Sequence, residues 1–137
     1  MNKMLRNKRG FTMIEMVMVI VIAAILGVIA IPIYNDLQTN AKASNEAAVV
    51  GGVRGGIASS YVNSAQGGAT PAYPGTLDGA SVAACSETNA CFGTVLGQGG
   101  VTAQWTKLST STYRSPVNGT NVWTYTAGAG TFTRTTA

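Results

Sequence analysis

Apolar and polar positions divide this chain sharply. Residues 16–31, "MVMVIVIAAILGVIAI", are sixteen consecutive uncharged positions, mostly apolar and β-branched. Taken from Phe11 to Tyr34, the run covers 24 residues. As a helix it would be about 36 Å long, enough to cross a bilayer. In lipid every backbone polar group must be bonded within the segment, so a helix is predicted whatever the local propensities. After Tyr34 the pattern becomes amphipathic. Ala43, Ala47, Val50, Val53, Ile57 and Tyr61 recur at three- and four-residue steps, which predicts a helical continuation to about Val62. Gly51-Gly52 and Gly55-Gly56 count against that continuation by roughly 1 kcal/mol per glycine. They either let a sheet lie close on the helix or mark its end. A helix over 12–62 would span about 75 Å.

Beyond the helix, "NSAQGGATPAYPGTLDGAS" (63–81) reads as a Gly/Pro-rich connection. "CFGTVL", "GVTAQWTKL" and "TSTYRS" are short strand candidates. The best-supported pairing is within "NVWTYTAGAGTFTRT", where Trp123 and Tyr125 share a face and "AGAG" supplies a turn before Phe132. The predicted fold class is α+β: a long amino-terminal helix, apolar in its first half and amphipathic in its second, packed against a small antiparallel sheet. The segments expected are 1–10 as a basic leader, 11–34 as the apolar helix, 35–62 as its amphipathic continuation, and 63–137 as loop and sheet head. Trp105, Tyr113, Trp123, Tyr125 and Phe132 are expected in the core of that head rather than on a ligand platform.

Composition limits the function. A chain of 137 residues has room for one ordinary domain. Outside 11–34 it is poor in large hydrophobes and rich in Gly, Ala, Ser and Thr, a thin core for an independent fold. Nine basic residues against five acidic ones give a net charge of +4. Four of the nine, Lys3, Arg6, Lys8 and Arg9, fall in the first ten positions. The remaining five, Lys42, Arg54, Lys107, Arg114 and Arg134, balance Glu15, Asp36, Glu46, Asp78 and Glu87. No basic stripe is left to follow phosphates, so no nucleic-acid site is expected. Histidine is absent, and neither an acid–base pair nor a catalytic triad can be assembled, so the chain reads as a non-enzyme without metal or cofactor. Outside the cytoplasm, Cys85 and Cys91 in "ACSETNAC" are expected to form a disulfide, the alternative being two free, partly buried thiols. Closing so short a loop is worth roughly 2 kcal/mol on the loop-entropy model.

Asp78 in "TLDGAS" and Glu87 in "CSETN" are candidate calcium ligands, although turn roles suit both better. Asn118-Gly119-Thr120 has the form of a glycosylation sequon.

The basic head followed by an apolar run is first of all a targeting signature. Three readings fit it: a secretory signal cut near "GVIA", a plain membrane anchor, or a signal whose helix is retained after cleavage. The first is strained by the length of the run. The second gives no reason for Glu15. A carboxylate inside such a helix costs about 2.5–3.5 kcal/mol at the bilayer centre and less near an end. Its natural partner is a cation at similar depth, yet Lys42 is 27 residues away.

The junction "KRGFTMIE" combines a short basic leader ending in Gly10, then Phe11, then an acid four residues on. It resembles the class III signal of type IV prepilins and the related pseudopilins over about residues 8–35. The resemblance implies that a prepilin peptidase cuts between Gly10 and Phe11 and that the new amino terminus of Phe11 is methylated. It also implies that Glu15 guides assembly through the α-amino group of Phe11 on a neighbouring subunit. The chain would sit in the inner membrane, amino terminus cytoplasmic by the positive-inside rule, until assembly machinery adds it to an extracellular homopolymer. Gly27 and Pro32 mark a place where the helix is expected to kink or loosen, since proline removes a donor and clashes one turn back. Such filaments serve adhesion, motility or DNA uptake. The alternatives are a pseudopilin of type II secretion and a monomeric anchored binding module. Against the pseudopilin stands the carboxyl-terminal "TYTAGAGTFTRTTA", which has no acid.

Overall fold

A computed structural model describes residues 10–117 and 119–135. The leader cations Lys3, Arg6, Lys8 and Arg9, and Asn118 of the sequon, lie outside the described residues. A single long helix, α1 (Met13–Ala65), is followed by four strands: β1 (Thr106–Lys107), β2 (Thr112–Arg114), β3 (Val122–Thr126) and β4 (Thr131–Thr135). The chain divides into two compact units between Gln38 and Thr39.

In the first unit the large apolar side chains of α1 are all exposed, from Met13 through Leu37. This is the one described helix long and apolar enough to cross a membrane. Pro32 lies in its interior, and helix is assigned on both sides of it.

The second unit holds the rest of α1 and the sheet. Helix continues through Gly51-Gly52 and Gly55-Gly56, and burial explains why these glycines are tolerated. Val50, Val53 and Ile57 form the buried stripe. A Cβ on Gly56 would collide with the backbone carbonyl of Val95, and one on Gly52 would come within 3.0 Å of Leu96 Cδ2. Gly51 and Gly55 have nothing within 4 Å. Gly52 and Gly56, one turn apart, therefore form a flat track for the chain at Val95–Leu96. A loop, rather than the expected sheet, makes the close approach.

The sheet is an antiparallel meander in the order β1-β2-β3-β4. β3 and β4 pair as Tyr125↔Phe132 and Trp123↔Arg134 around the turn at 127–130. Trp123 and Tyr125 do share a face, with Tyr125 buried and Trp123 packed on the core. As a sheet edge, β4 presents unpaired backbone groups. At Phe132 that edge is covered, because Arg54 donates to the Phe132 carbonyl from Nε at 3.1 Å and Nη2 at 2.9 Å. The same guanidinium lies 5.6 Å from the Trp123 ring centroid.

Of the other strand candidates, "CFGTVL" is not a strand. Cys91 makes an isolated bridge to Val101, and Phe92–Leu96 is a turn closed by Leu96 N donating to Phe92 O at 2.9 Å. Phe92 takes φ 62°, an uncommon conformation for a bulky residue. The core fixes it there. The ring of Phe92 packs edge-on to Trp105 at 5.4 Å and Phe132 at 5.7 Å, and tilted on Tyr113 at 4.3 Å. "GVTAQWTKL" contributes only Thr106–Lys107, because Gln104 also takes positive φ, at 68°.

Cys85 and Cys91 are bonded. Reduction should lower the head's stability by about 2 kcal/mol, read as a lower urea midpoint of near-ultraviolet dichroism with unchanged slope.

Candidate functional site: the amino-terminal junction

The site is local in sequence, so its geometry follows from helix initiation. Four N–H groups at a helix start have no partner within the helix. Here Thr12 immediately precedes α1, and its Oγ1 accepts from Glu15 N at 3.3 Å. Glu15 Oε2 reaches back, accepting from Thr12 N at 2.7 Å and from Thr12 Oγ1 at 2.9 Å. This reciprocal pair is a capping box, the Thr-x-x-Glu arrangement that satisfies two orphan donors at once. The negative charge also lies in the first turn, where the helix dipole favours it. Glu15 thus has a partner inside its own chain, which the sequence reading overlooked by looking only for a cation. The signal was present as "TMIE".

Gly10 and Phe11 precede the helix and are exposed, Phe11 at 82%. An amine generated at Phe11 would be one residue from the capping Thr12. Both contacts with Thr12 fall on Oε2 of Glu15; among the described residues Oε1 accepts none. The carboxylate can therefore cap its own helix and still present an oxygen outward. Gly27 has nothing within 4 Å of its Cβ position, so a neighbouring helix could approach closely there.

No group of three or more His, Cys, Asp or Glu residues is positioned to hold a metal among the described residues. Asp78 makes the turn bond expected of it, accepting from Ala80 N at 3.2 Å. It is also buried, and its Oδ1 is paired with Lys107. Its Oδ2 accepts from Phe92 N at 2.8 Å, and Lys107 Nζ also donates to Ala80 O at 2.8 Å. Both oxygens are committed to the fold. Glu87 is exposed in the Ser86–Asn89 turn, away from Asp78's partners.

Residues 5–31 match the family model described as the prokaryotic N-terminal methylation motif. The chain is type IV pilin-like. The match covers residues 5–10 of the expected leader, the cap and most of the apolar run, the segments where the pilin-like reading rests on spacing. A relative extends the likeness: a fimbrial protein of Neisseria meningitidis serogroup B (strain ATCC BAA-335 / MC58) is 32% identical over 80 residues, 58% of this chain and 44% of that protein. The pilin-like chain therefore aligns with less than half of that relative's length. No solved structure matches it. Its long helix and small antiparallel sheet are nonetheless a pilin-like α+β arrangement.

A second residue escaped the sequence reading. Glu46 sits on the helix stripe that faces the sheet and is buried. It accepts from Ser115 Oγ at 2.6 Å, Asn121 Nδ2 at 3.1 Å and Trp123 Nε1 at 3.0 Å. A buried carboxylate without a cation is tolerable when several donors converge on it. Those donors come from 69 or more residues away, so no local pattern announces them.

Proposed function

We propose that this chain is the structural subunit of a type IV pilus. The observation that carries the reading is a helix whose apolar first part, Met13 to Leu37, is exposed and headed by a capping acid inside a methylation motif. A prepilin peptidase cuts between Gly10 and Phe11, and the Phe11 amine is methylated. The helix is retained, anchoring the subunit in the inner membrane with its amino terminus on the cytoplasmic side. Assembly machinery then moves it from lipid into a bundle of identical helices, building an extracellular filament for adhesion, motility or DNA uptake. Lipid and neighbouring helices are equally apolar, so packing and polar pairing drive the transfer rather than burial from water. The outward oxygen of Glu15 meets the Phe11 amine of a neighbour, and Gly27 and Pro32 give the helix freedom to bend as it packs.

Shearing fibres from cells and measuring the mass of the sheared protein tests this. The expected species begins at methyl-Phe11. The same mass held only in the cell would place the chain in a secretion pseudopilus instead, and an intact leader would remove the reading.

A further inference from the structure

The head carries a groove of about 470 Å³ along α1 and the sheet edge. Ala47, Gly51, Arg54, Asn121, Trp123 and Arg134 line it, with Glu46 at its wall. Small residues keep the helix side of the groove open. Its charge is unbalanced toward positive: two guanidiniums face one carboxylate, and that carboxylate is bonded to Ser115, Asn121 and Trp123. Arg54 is tied to Phe132 O and Trp123, whereas the Arg134 side chain has no hydrogen bond or ion pair among the described residues.

A complementary feature lies elsewhere on the same head. Glu46 and Asp78 are buried, which leaves Glu87 as the exposed carboxylate among the head's described residues. It stands at the tip of a stiff projection. Ser86 and Asn89 exchange backbone hydrogen bonds of 3.2 and 3.1 Å, so Glu87 and Thr88 form the tip of the turn. The Cys85–Cys91 disulfide closes the base. Asn89 ties that base to the preceding segment, accepting from Ser81 N at 2.7 Å and donating to Ser81 O and Ala84 O. A loop held this way loses little freedom on docking. Val82, on that neighbouring segment, is 64% exposed.

We infer that the Glu87 loop of one subunit docks in the Arg54–Arg134 groove of a second copy. Knob and groove are different surfaces of one head, so the contact is heterologous. Each subunit keeps one of each open, the geometry that propagates a filament rather than closing a dimer. Among the described residues of a single copy, the side chains of Glu87 and Arg134 have no ion-pair partner, and a volume of about 470 Å³ admits the loop tip rather than a lone side chain. The inference rests on the filament reading above.

The test uses full-length protein in piliated cells. A photo-crosslinking amino acid at position 88, which leaves Glu87 in place, should join, in sheared fibres, to a neighbour's groove around Arg54, Trp123 and Arg134. Glu87→Arg and Arg134→Glu should each lower sheared-fibre yield about fivefold, the scale of one exposed ion pair. The double reversal should recover most of it. A wild type without fibres would overturn the filament reading. Normal fibres whose position-88 crosslinks land elsewhere, or a double reversal no better than the singles, would overturn the knob-and-groove contact alone.

Discussion

Glu15→Gln should leave the leader cut and the protein in the membrane, yet strip the cell of fibres. Glutamine retains a carbonyl oxygen that can accept from Thr12 N and Thr12 Oγ1, so the helix start keeps its capping bonds. What it lacks is charge. In an apolar bundle, removing one member of an ion pair strands the other, at about 3 kcal/mol or more. That weakens each subunit addition roughly a hundredfold. Glu15→Ala removes both functions and should be no better. The comparison separates the helix capping that Glu15 provides in the structure from the inter-subunit pairing proposed for it. Fibres at wild-type level with Glu15→Gln but none with Glu15→Ala would assign Glu15 to helix capping and take away its inter-subunit role. Membrane fractionation and leader mass, measured in parallel, keep an insertion defect from being mistaken for an assembly defect.

The second large effect is in the head. Asp78→Ala removes a buried carboxylate that holds Lys107, Phe92 N and Ala80 N together. It leaves an ammonium group in the core, 5.9 Å from the Tyr113 ring centroid, without its counter-charge. Breaking a buried pair from one side costs about 3–5 kcal/mol, a large part of the total for a domain with so few large hydrophobes. The expected outcome is loss of the near-ultraviolet dichroism of the clustered aromatics in detergent-solubilised protein at room temperature. Replacing both partners, as Asp78→Leu with Lys107→Met, should recover most of the loss, since apolar substitutes for a buried pair are often neutral. A single variant that melts within about 1 kcal/mol of wild type would show that the pair contributes little. The surroundings are already polar-poor. Trp105 Nε1 and the Tyr113 hydroxyl are buried without a hydrogen-bond partner among the described residues. Burial, reinforced by the nearby Asp78 charge, pushes the Tyr113 hydroxyl well above its ordinary pKa, so the ring stays neutral and no phenolate competes with the carboxylate for Lys107.

The sequence reveals features whose cause lies within a few residues. Helix formation over the apolar run, the hairpin at "AGAG" and the short cysteine loop are set by periodicity, turn chemistry and spacing, and each is present in the structure. The capping box is equally local, since "TMIE" contains both of its residues. Glu46 and the Asp78–Lys107 pair belong to another class. The donors to Glu46 lie 69 to 77 residues away and Lys107 lies 29 from Asp78, and nothing in an acid's immediate neighbours tells a buried anchor from a solvated charge. "CFGTVL" failed for a related reason. Its β-like composition was overridden by Phe92, whose ring is held in the aromatic cluster and whose amide is held by Asp78. One glycine of each pair, Gly52 and Gly56, does serve close approach, but to the loop at Val95–Leu96 rather than to a sheet, and neither pair ends the helix.

Arg54's grip on the Phe132 carbonyl bears on how such a protein can be stockpiled. On the proposed reading, subunits held in the membrane before assembly would crowd together in a two-dimensional sheet of lipid, with threonine-rich strands side by side. A bare sheet margin there would invite strand-to-strand zippering into a disordered, irreversible aggregate. With that carbonyl already engaged, the head offers a crowded neighbour no ready template at that register. On the same reading, ordered growth would then be left to the helices.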